Sequence, residues 1–219
     1  YLIDHFRAQV VCLGPNFRFG HQHAGDLDTL LEWRNHYEVI EVEPVLVGRD
    51  SVSSSAIRTA LSEGDVRTAR RMLGRCYEIE GTIVRGSGRG RSETVPTLNL
   101  EPQNQLLARN GVYVTRIAVE GGVFLQSVTN VGIRPTFDDS GQTIETYVLD
   151  GIVSVPGQNS RLRFLKRLRD EKEFSNPKAL LDQIHLDINT ARKFFHRLDH
   201  DQAGTVENGI TALSARENV

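Results

Sequence analysis

The sequence predicts a small α/β segment, then a mainly β module folded as a compact antiparallel barrel, then a C-terminal helix. Three observations predict it. Near the N-terminus two short apolar runs flank a helical stretch, in the strand, helix, strand order of α/β structure. From residue 77 onward, runs of five to nine β-rich residues recur between turns containing Gly, Asp, Ser or Pro. After Pro177, apolar residues at steps of three and four mark one face of a helix.

The first strand is Val10-Val11-Cys12-Leu13, ended by Gly14, and the apolar run suits a buried parallel strand. A helix over 26–33 and a second strand over 37–42 follow. Ser53, Ser54 and Ser55 precede Ala56-Ile57-Arg58, where serine oxygens can accept from the free amides of a new helix. Gly64-Asp65 stops that helix and caps another, which places Val66, Ala69 and Leu73 on one face before Gly74 ends it. Residues 1–74 are thus expected as one α/β unit. Strands are expected over 77–84, 111–119, 123–131, 143–149 and 160–165. Asn176-Pro177 opens the last helix, whose stripe runs from Leu181 through Ile184, Ile188, Ala191 and Phe195 to Leu198. These elements make 75–199 a second domain, with 200–219 as a flexible polar tail.

Composition bounds what such a chain can do. With 219 residues, 39% hydrophobic and 25% charged, it can build a real core and lies outside the disordered range. It has no apolar run near the roughly 20 residues of a membrane span, and no signal-peptide pattern opens it. A formal charge of −2 provides no global field for a polyanion, so phosphate chemistry has to come from a local site. The two cysteines, Cys12 and Cys76, have no metal or redox spacing and read as buried thiols of a reducing, cytoplasmic compartment. The chain opens on Tyr1 rather than Met, which reads as a fragment.

Three constellations can carry chemistry. Gly86-Ser87-Gly88-Arg89-Gly90-Arg91 alternates glycines, which allow close backbone approach, with arginines that suit phosphate oxygens. The same residues also suit a solvated basic turn or an RNA contact. Pro96-Thr97-Leu98-Asn99-Leu100 places a hydroxyl and a side-chain amide two residues apart, on one face if the segment is extended. Such a pair can give Mg²⁺ one or two hard oxygen ligands, or simply belong to a polar edge strand. In the strand over 143–149, Glu145 shares a face with Tyr147 and Leu149. That carboxylate either lies on a solvated edge or looks into a pocket, where partial desolvation would suit it to take a proton from a hydroxyl.

Taken in order, these blocks resemble a known family. The glycine-rich loop, Pro96-Thr97-Leu98-Asn99-Leu100, Asn130-Val131-Gly132-Ile133-Arg134-Pro135-Thr136-Phe137, the Glu145 strand and Phe164-Leu165-Lys166-Arg167-Leu168-Arg169-Asp170-Glu171 are similar to the riboflavin kinase module of prokaryotic bifunctional riboflavin kinase/FAD synthetases. Upstream, Asn16-Phe17-Arg18-Phe19-Gly20 and Ser53-Ser54-Ser55-Ala56-Ile57-Arg58 resemble the second half of the FMN adenylyltransferase module. The resemblance implies a six-stranded antiparallel barrel, preceded by part of a Rossmann-like nucleotidyltransferase domain. It implies phosphorylation of riboflavin to FMN with MgATP, with Thr97 and Asn99 at Mg²⁺ and phosphate, Gly86 to Arg91 over the nucleotide, and Glu145 as base. It implies small-molecule substrates, without nucleic acid or membrane as partner, and exposed strand edges in the α/β part allow self-association.

Two departures accompany it. Glu93-Thr94-Val95 stands where the family usually has Leu-Gly-Phe before the Pro-Thr pair, and Gly151 replaces an aromatic after the Leu149-Asp150 pair. The family's His-x-Gly-His nucleotide motif is absent, and His21-Gln22-His23 does not replace it, so FAD synthesis is expected only of a longer parent. Ser53, Ser54, Ser55 and Arg58 are then an adenylyltransferase remnant.

Overall fold

The computed structural model describes all residues except 15, 86–94, 105, 134–141, 152–155 and 215–219, and it describes the side chains of the last helix as far as residue 201. The chain divides into two compact units, Tyr1–Ser53 and Ser54–Val219.

In the first unit, β1 (Val10–Leu13) and β2 (Glu38–Glu41) pair in parallel, with Val11 opposite Val39. Between them α1 (Leu27–Leu31) starts at Asp26, whose carboxylate accepts from Thr29 N–H at 3.1 Å while the Thr29 hydroxyl accepts from Asp26 N–H. Leu13, Leu30 and Tyr37 form the small core. The strand, helix, strand reading holds, but β1 is not the buried strand its apolar run implied. It belongs to a two-stranded sheet, so of its residues only Leu13 is buried and Cys12 is exposed. A short hairpin, β3 (Leu46–Val47) with β4 (Asp50–Ser51), was not expected.

The second unit opens with α2 (Ser54–Glu63) and α3 (Val66–Leu73). Asp65 caps α3 by accepting from Thr68 N–H at 3.0 Å, and Gly74 ends it in the left-handed conformation at φ 68°. Sequence reading put both helices with the N-terminal segment, in a unit ending at residue 74. The structure instead draws the boundary after Ser53, because Leu61, Val66 and Ala69 are buried in the same core cluster as Ile79, Tyr113 and Phe164.

Six strands close into an antiparallel barrel: β5 (Tyr77–Val84), β6 (Leu98–Pro102), β7 (Gly111–Val119), β8 (Leu125–Ile133), β9 (Gln142–Val148) and β10 (Asn159–Arg169), in the ring order β10, β5, β6, β9, β8, β7. The conditional segment around Thr97 supplies β6, the strand that spacing alone left open. β10 runs past the expected residue 165 because register shifts between Phe164 and Lys166, and again between Arg167 and Arg169, keep it paired with β7 while it turns. Inside the barrel, Ile79, Tyr113, Ile117, Ile144, Leu162 and Phe164 pack around a chain of buried hydroxyls. Thr115 bonds Ser127 at 2.8 Å and Thr129 at 2.7 Å, and Thr129 bonds Thr146 at 2.9 Å. Outside, Val112, Val114 and Val128 are covered by Ile188, Ala191 and Phe195 of α4 (Pro177–Ser214). The Asn176 carboxamide accepts from Ala179 N–H at 2.9 Å, which caps α4 as Asn-Pro predicted. The helix does not end near residue 198: its backbone stays helical to Ser214, so the expected tail is helical over most of its length, and 215–219 lie outside the described residues.

Candidate active site

The barrel's pairing puts polar side chains in one row across its outer face. Asn99 on β6 is opposite Glu145 on β9, Glu145 is opposite Asn130 on β8, Asn130 is opposite Val112 on β7, and Val112 is opposite Arg169 on β10. Directly opposed residues project to the same side of a sheet with their Cβ atoms roughly 4.5–5.5 Å apart. The row therefore gathers an amide, a carboxylate and a second amide on three adjacent strands. Thr97, one step of two before Asn99, completes it.

A cavity of about 360 Å³ opens beside this row, between the outer barrel face, the segment after β10 and the first half of α4. Thr97, Asn130 and Glu145 line its polar side, while Val128, Ile184 and Ile188 contribute apolar wall. An apolar cavity with a few convergent polar groups is the usual form of a small-molecule site. Glu145 is exposed and lines the cavity, on a strand that is paired on both sides, by β6 and β8, and so is not an edge. Thr97 and Asn99 are half-buried; Thr97 lines the cavity and Asn99 neighbours it through β6.

One wall is held by an ion pair that sequence reading did not single out. Arg169 Nε donates to both Asp187 carboxylate oxygens, at 3.2 and 3.0 Å, and its Nη2 donates to Oδ2 at 2.7 Å. Gln183 Nε2 donates to Asp187 Oδ1 at 3.0 Å. Asp187 is buried and Arg169 half-buried, with side-chain exposures of 9% and 16%. The signal was available: Asp187 is an acid inside the apolar stripe, between Ile184 and Ile188, and a charge at a core position needs a partner. Asn130 was also passed over, although it alternates with the buried Thr129 and Val131 on β8.

Other expected site residues lie elsewhere. Gly86, Ser87, Gly88, Arg89, Gly90 and Arg91 lie outside the described residues, as do Glu93 and Thr94. Ser53 immediately precedes α2, Ser54 and Ser55 form its first turn, and Arg58 is exposed one turn on. Among the described residues there is no cluster of three or more His, Cys, Asp or Glu that could hold a metal, and no helix is long and apolar enough to cross a membrane.

A family model for riboflavin kinase matches residues 73–195, more than half of the chain and the whole barrel. The chain belongs to the riboflavin kinase family. A second model, for FAD synthetase, matches residues 1–56, which span the first unit and the first turn of α2. Relatives of this chain include the bifunctional riboflavin kinase/FMN adenylyltransferase of Escherichia coli K12, 31% identical over 196 residues, which cover 89% of this chain and 63% of that one. The enzyme of the same name from Buchnera aphidicola is 31% identical over 199 residues, covering 89% and 64%. The chain thus spans just under two thirds of the length of these curated relatives. A crystal structure of a Streptococcus pneumoniae protein described as a macrolide-efflux protein superposes with a TM-score of 0.74 and 29% identity, over 82% of this chain and 58% of that one.

Proposed function

We propose that the chain is a riboflavin kinase that transfers the γ-phosphoryl group of ATP to the ribityl 5′-hydroxyl of riboflavin. The observation that carries this reading is the registered row of Asn99, Glu145 and Asn130 beside a half-apolar cavity on the barrel's outer face. In this reading Glu145 takes the hydroxyl proton, the freed oxygen bonds to the γ-phosphorus, and the bond from that phosphorus to the β,γ-bridging oxygen breaks, releasing ADP. Phosphoryl transfer asks mainly for positioning and charge neutralisation, so one base and a well-placed nucleotide suffice.

The donor set near Glu145 fits magnesium. Thr97 and Asn99 offer neutral, hard side-chain oxygens, which suit an ion that keeps several waters and needs few protein ligands. Bound there, Mg²⁺ would neutralise charge on the nucleotide phosphates. Gly86 to Arg91 are assigned to the phosphate loop. The two free thiols, Cys12 and Cys76, support a cytoplasmic setting. FAD formation is assigned to a longer protein that carries the full adenylyltransferase module, of which Ser53, Ser54, Ser55 and Arg58 are part.

The test is incubation of the purified chain with riboflavin, ATP and Mg²⁺, with flavins separated by chromatography. Steady FMN formation is the expected result. Saturable flavin binding without turnover would overturn the enzyme reading in favour of a flavin-binding module.

A further inference from the structure

Arg67, Arg70 and Arg71 stand at steps of three and four on α3, so their guanidinium groups share one helix face. Like charges at that spacing repel. All three are exposed, and Arg67 also acts electrostatically on the Asp65 carboxyl that caps the helix. The opposite face of α3, through Val66 and Ala69, already makes the contact with the core.

A second feature points to the same place. At the register shift in β10, Leu165 is the extra residue between Phe164, which pairs with Thr115, and Lys166, which pairs with Val114. The bulge turns Leu165 away from the barrel interior and sets Lys166 beside it on the outer face, which is how a strand re-aims a side chain. Both line a groove of about 580 Å³ together with the three arginines and Arg197 of α4. Five cations from three elements thus face one concavity, whose described lining includes a single carboxylate, that of Asp201. Phe194 and Leu198 join Leu165 as its apolar wall. The groove shares no lining residue with the cavity beside Glu145.

We propose that this groove is a second anion site, which binds a small molecule carrying two or more phosphates, away from the phosphoryl-transfer centre. Convergent arginines are suited to phosphate oxygens, because each guanidinium presents a planar fork of donors. The volume falls within the range of small-ligand sites, and the lining comes from α3, β10 and α4, which favours a compact anion over an extended nucleic acid. The ligand is a nucleotide whose base rests on Phe194 or an inorganic polyphosphate, and the two share the chemistry that the arginines read.

The experiment is calorimetric titration of the whole chain with inorganic triphosphate, in parallel with an Arg70→Gln/Arg71→Gln variant. Glutamine keeps helix propensity, and circular dichroism checks that the variant folds. Expected are saturable binding to the wild type, affinity at least tenfold weaker in the variant, further loss as salt rises, and unchanged FMN formation in both. Displacement of triphosphate by equimolar ADP identifies a nucleotide site, whereas failure of ADP to displace it identifies inorganic polyphosphate. Absence of saturable binding, equal affinity in the two proteins, or preference for a short RNA oligonucleotide over triphosphate would overturn the proposal.

Discussion

Asp187→Ala removes the counter-charge from a guanidinium that the fold has taken out of water. Arg169 donates three hydrogen bonds to that carboxylate and its side chain is 16% exposed, so in the variant its cation stays at the cavity wall without the counter-charge that holds it. Breaking a buried pair by deleting one partner costs roughly 3–5 kcal/mol. The residual exposure of Arg169 and its remaining bond from Nη1 to the Asp170 carbonyl at 2.9 Å place the loss at the low end, about 3 kcal/mol. For a chain of this size each kcal/mol lowers Tm by roughly 2–4 °C, so the expected fall is about 6–12 °C. Replacing both partners with apolar residues, Arg169→Met with Asp187→Leu, removes charge and counter-charge together and should bring stability back to within about 1 kcal/mol of wild type. Scanning calorimetry and urea unfolding followed by tyrosine fluorescence read both variants. A single variant that loses less than about 1 kcal/mol, or a double variant as unstable as the single, would refute the argument that the pair clamps β10 to α4 as a desolvated unit.

Four further outcomes follow from the same geometry. Glu145→Gln should slow FMN formation by roughly 10²- to 10⁴-fold while riboflavin affinity, read by flavin fluorescence, is kept; wild-type turnover would remove Glu145 from the chemistry. Thr97→Ala should raise the ATP and Mg²⁺ concentrations needed for half-maximal rate together, and an unchanged dependence on both would exclude it from the nucleotide site. At Gly81, an added Cβ would run into the Glu101 carbonyl oxygen on the neighbouring strand, so Gly81→Ala should lower the urea midpoint by the equivalent of about 1–3 kcal/mol, and an unshifted midpoint would show that β5 and β6 can part without cost. The Asp65 carboxyl is held below its ordinary value chiefly by the Thr68 amide, and the Asp26 carboxyl likewise by the Thr29 amide. Their stabilisation is thus complete above the unfolded carboxylate range, near pH 4, and is lost as pH falls through the lower folded values. Amide exchange should show the first turns of α1 and α3 loosening in acid, and Asp65→Asn, which still caps, should flatten the acid response of α3 alone.

Much of the barrel was legible because its strands alternate in burial. β5 reads Tyr77, Ile79, Gly81, Ile83 inward and Glu78, Glu80, Thr82 outward, and its bounds match the expectation residue for residue. β7 conceals that rhythm: Gly111 to Thr115 are all buried, one face by the interior and the other by α4, so the run marks a strand but not which face is which. β6 has five residues and ends on a proline, too little pattern to stand without its partners β5 and β9. The placement of α2 and α3 was illegible for another reason. Their caps and apolar stripes tell where each helix starts and which face is buried, not which module covers it. At the site, alternation put Thr97 with Asn99 and Glu145 with Tyr147, but nothing local to either segment says that Asn99, Glu145 and Asn130 meet. That meeting depends on strand register, which is set by pairing across the 45 intervening positions between Asn99 and Glu145.

The position of β10 in the ring matters for how this protein is made. The ring is closed by the last strand to emerge from the ribosome, since β10 pairs with β5 on one side and β7 on the other. At about 5–20 residues per second, translating the roughly 75 residues from the end of β5 to the start of β10 takes on the order of 4–15 s. Throughout that interval the free edge of β5, joined by that of β7 once residue 119 has been made, presents unpaired amides and carbonyls to every other nascent chain on the same message. Covering the β5 edge during that interval would protect yield without altering any contact of the finished barrel. Chains that stop short of β10 are correspondingly the ones that quality control must clear.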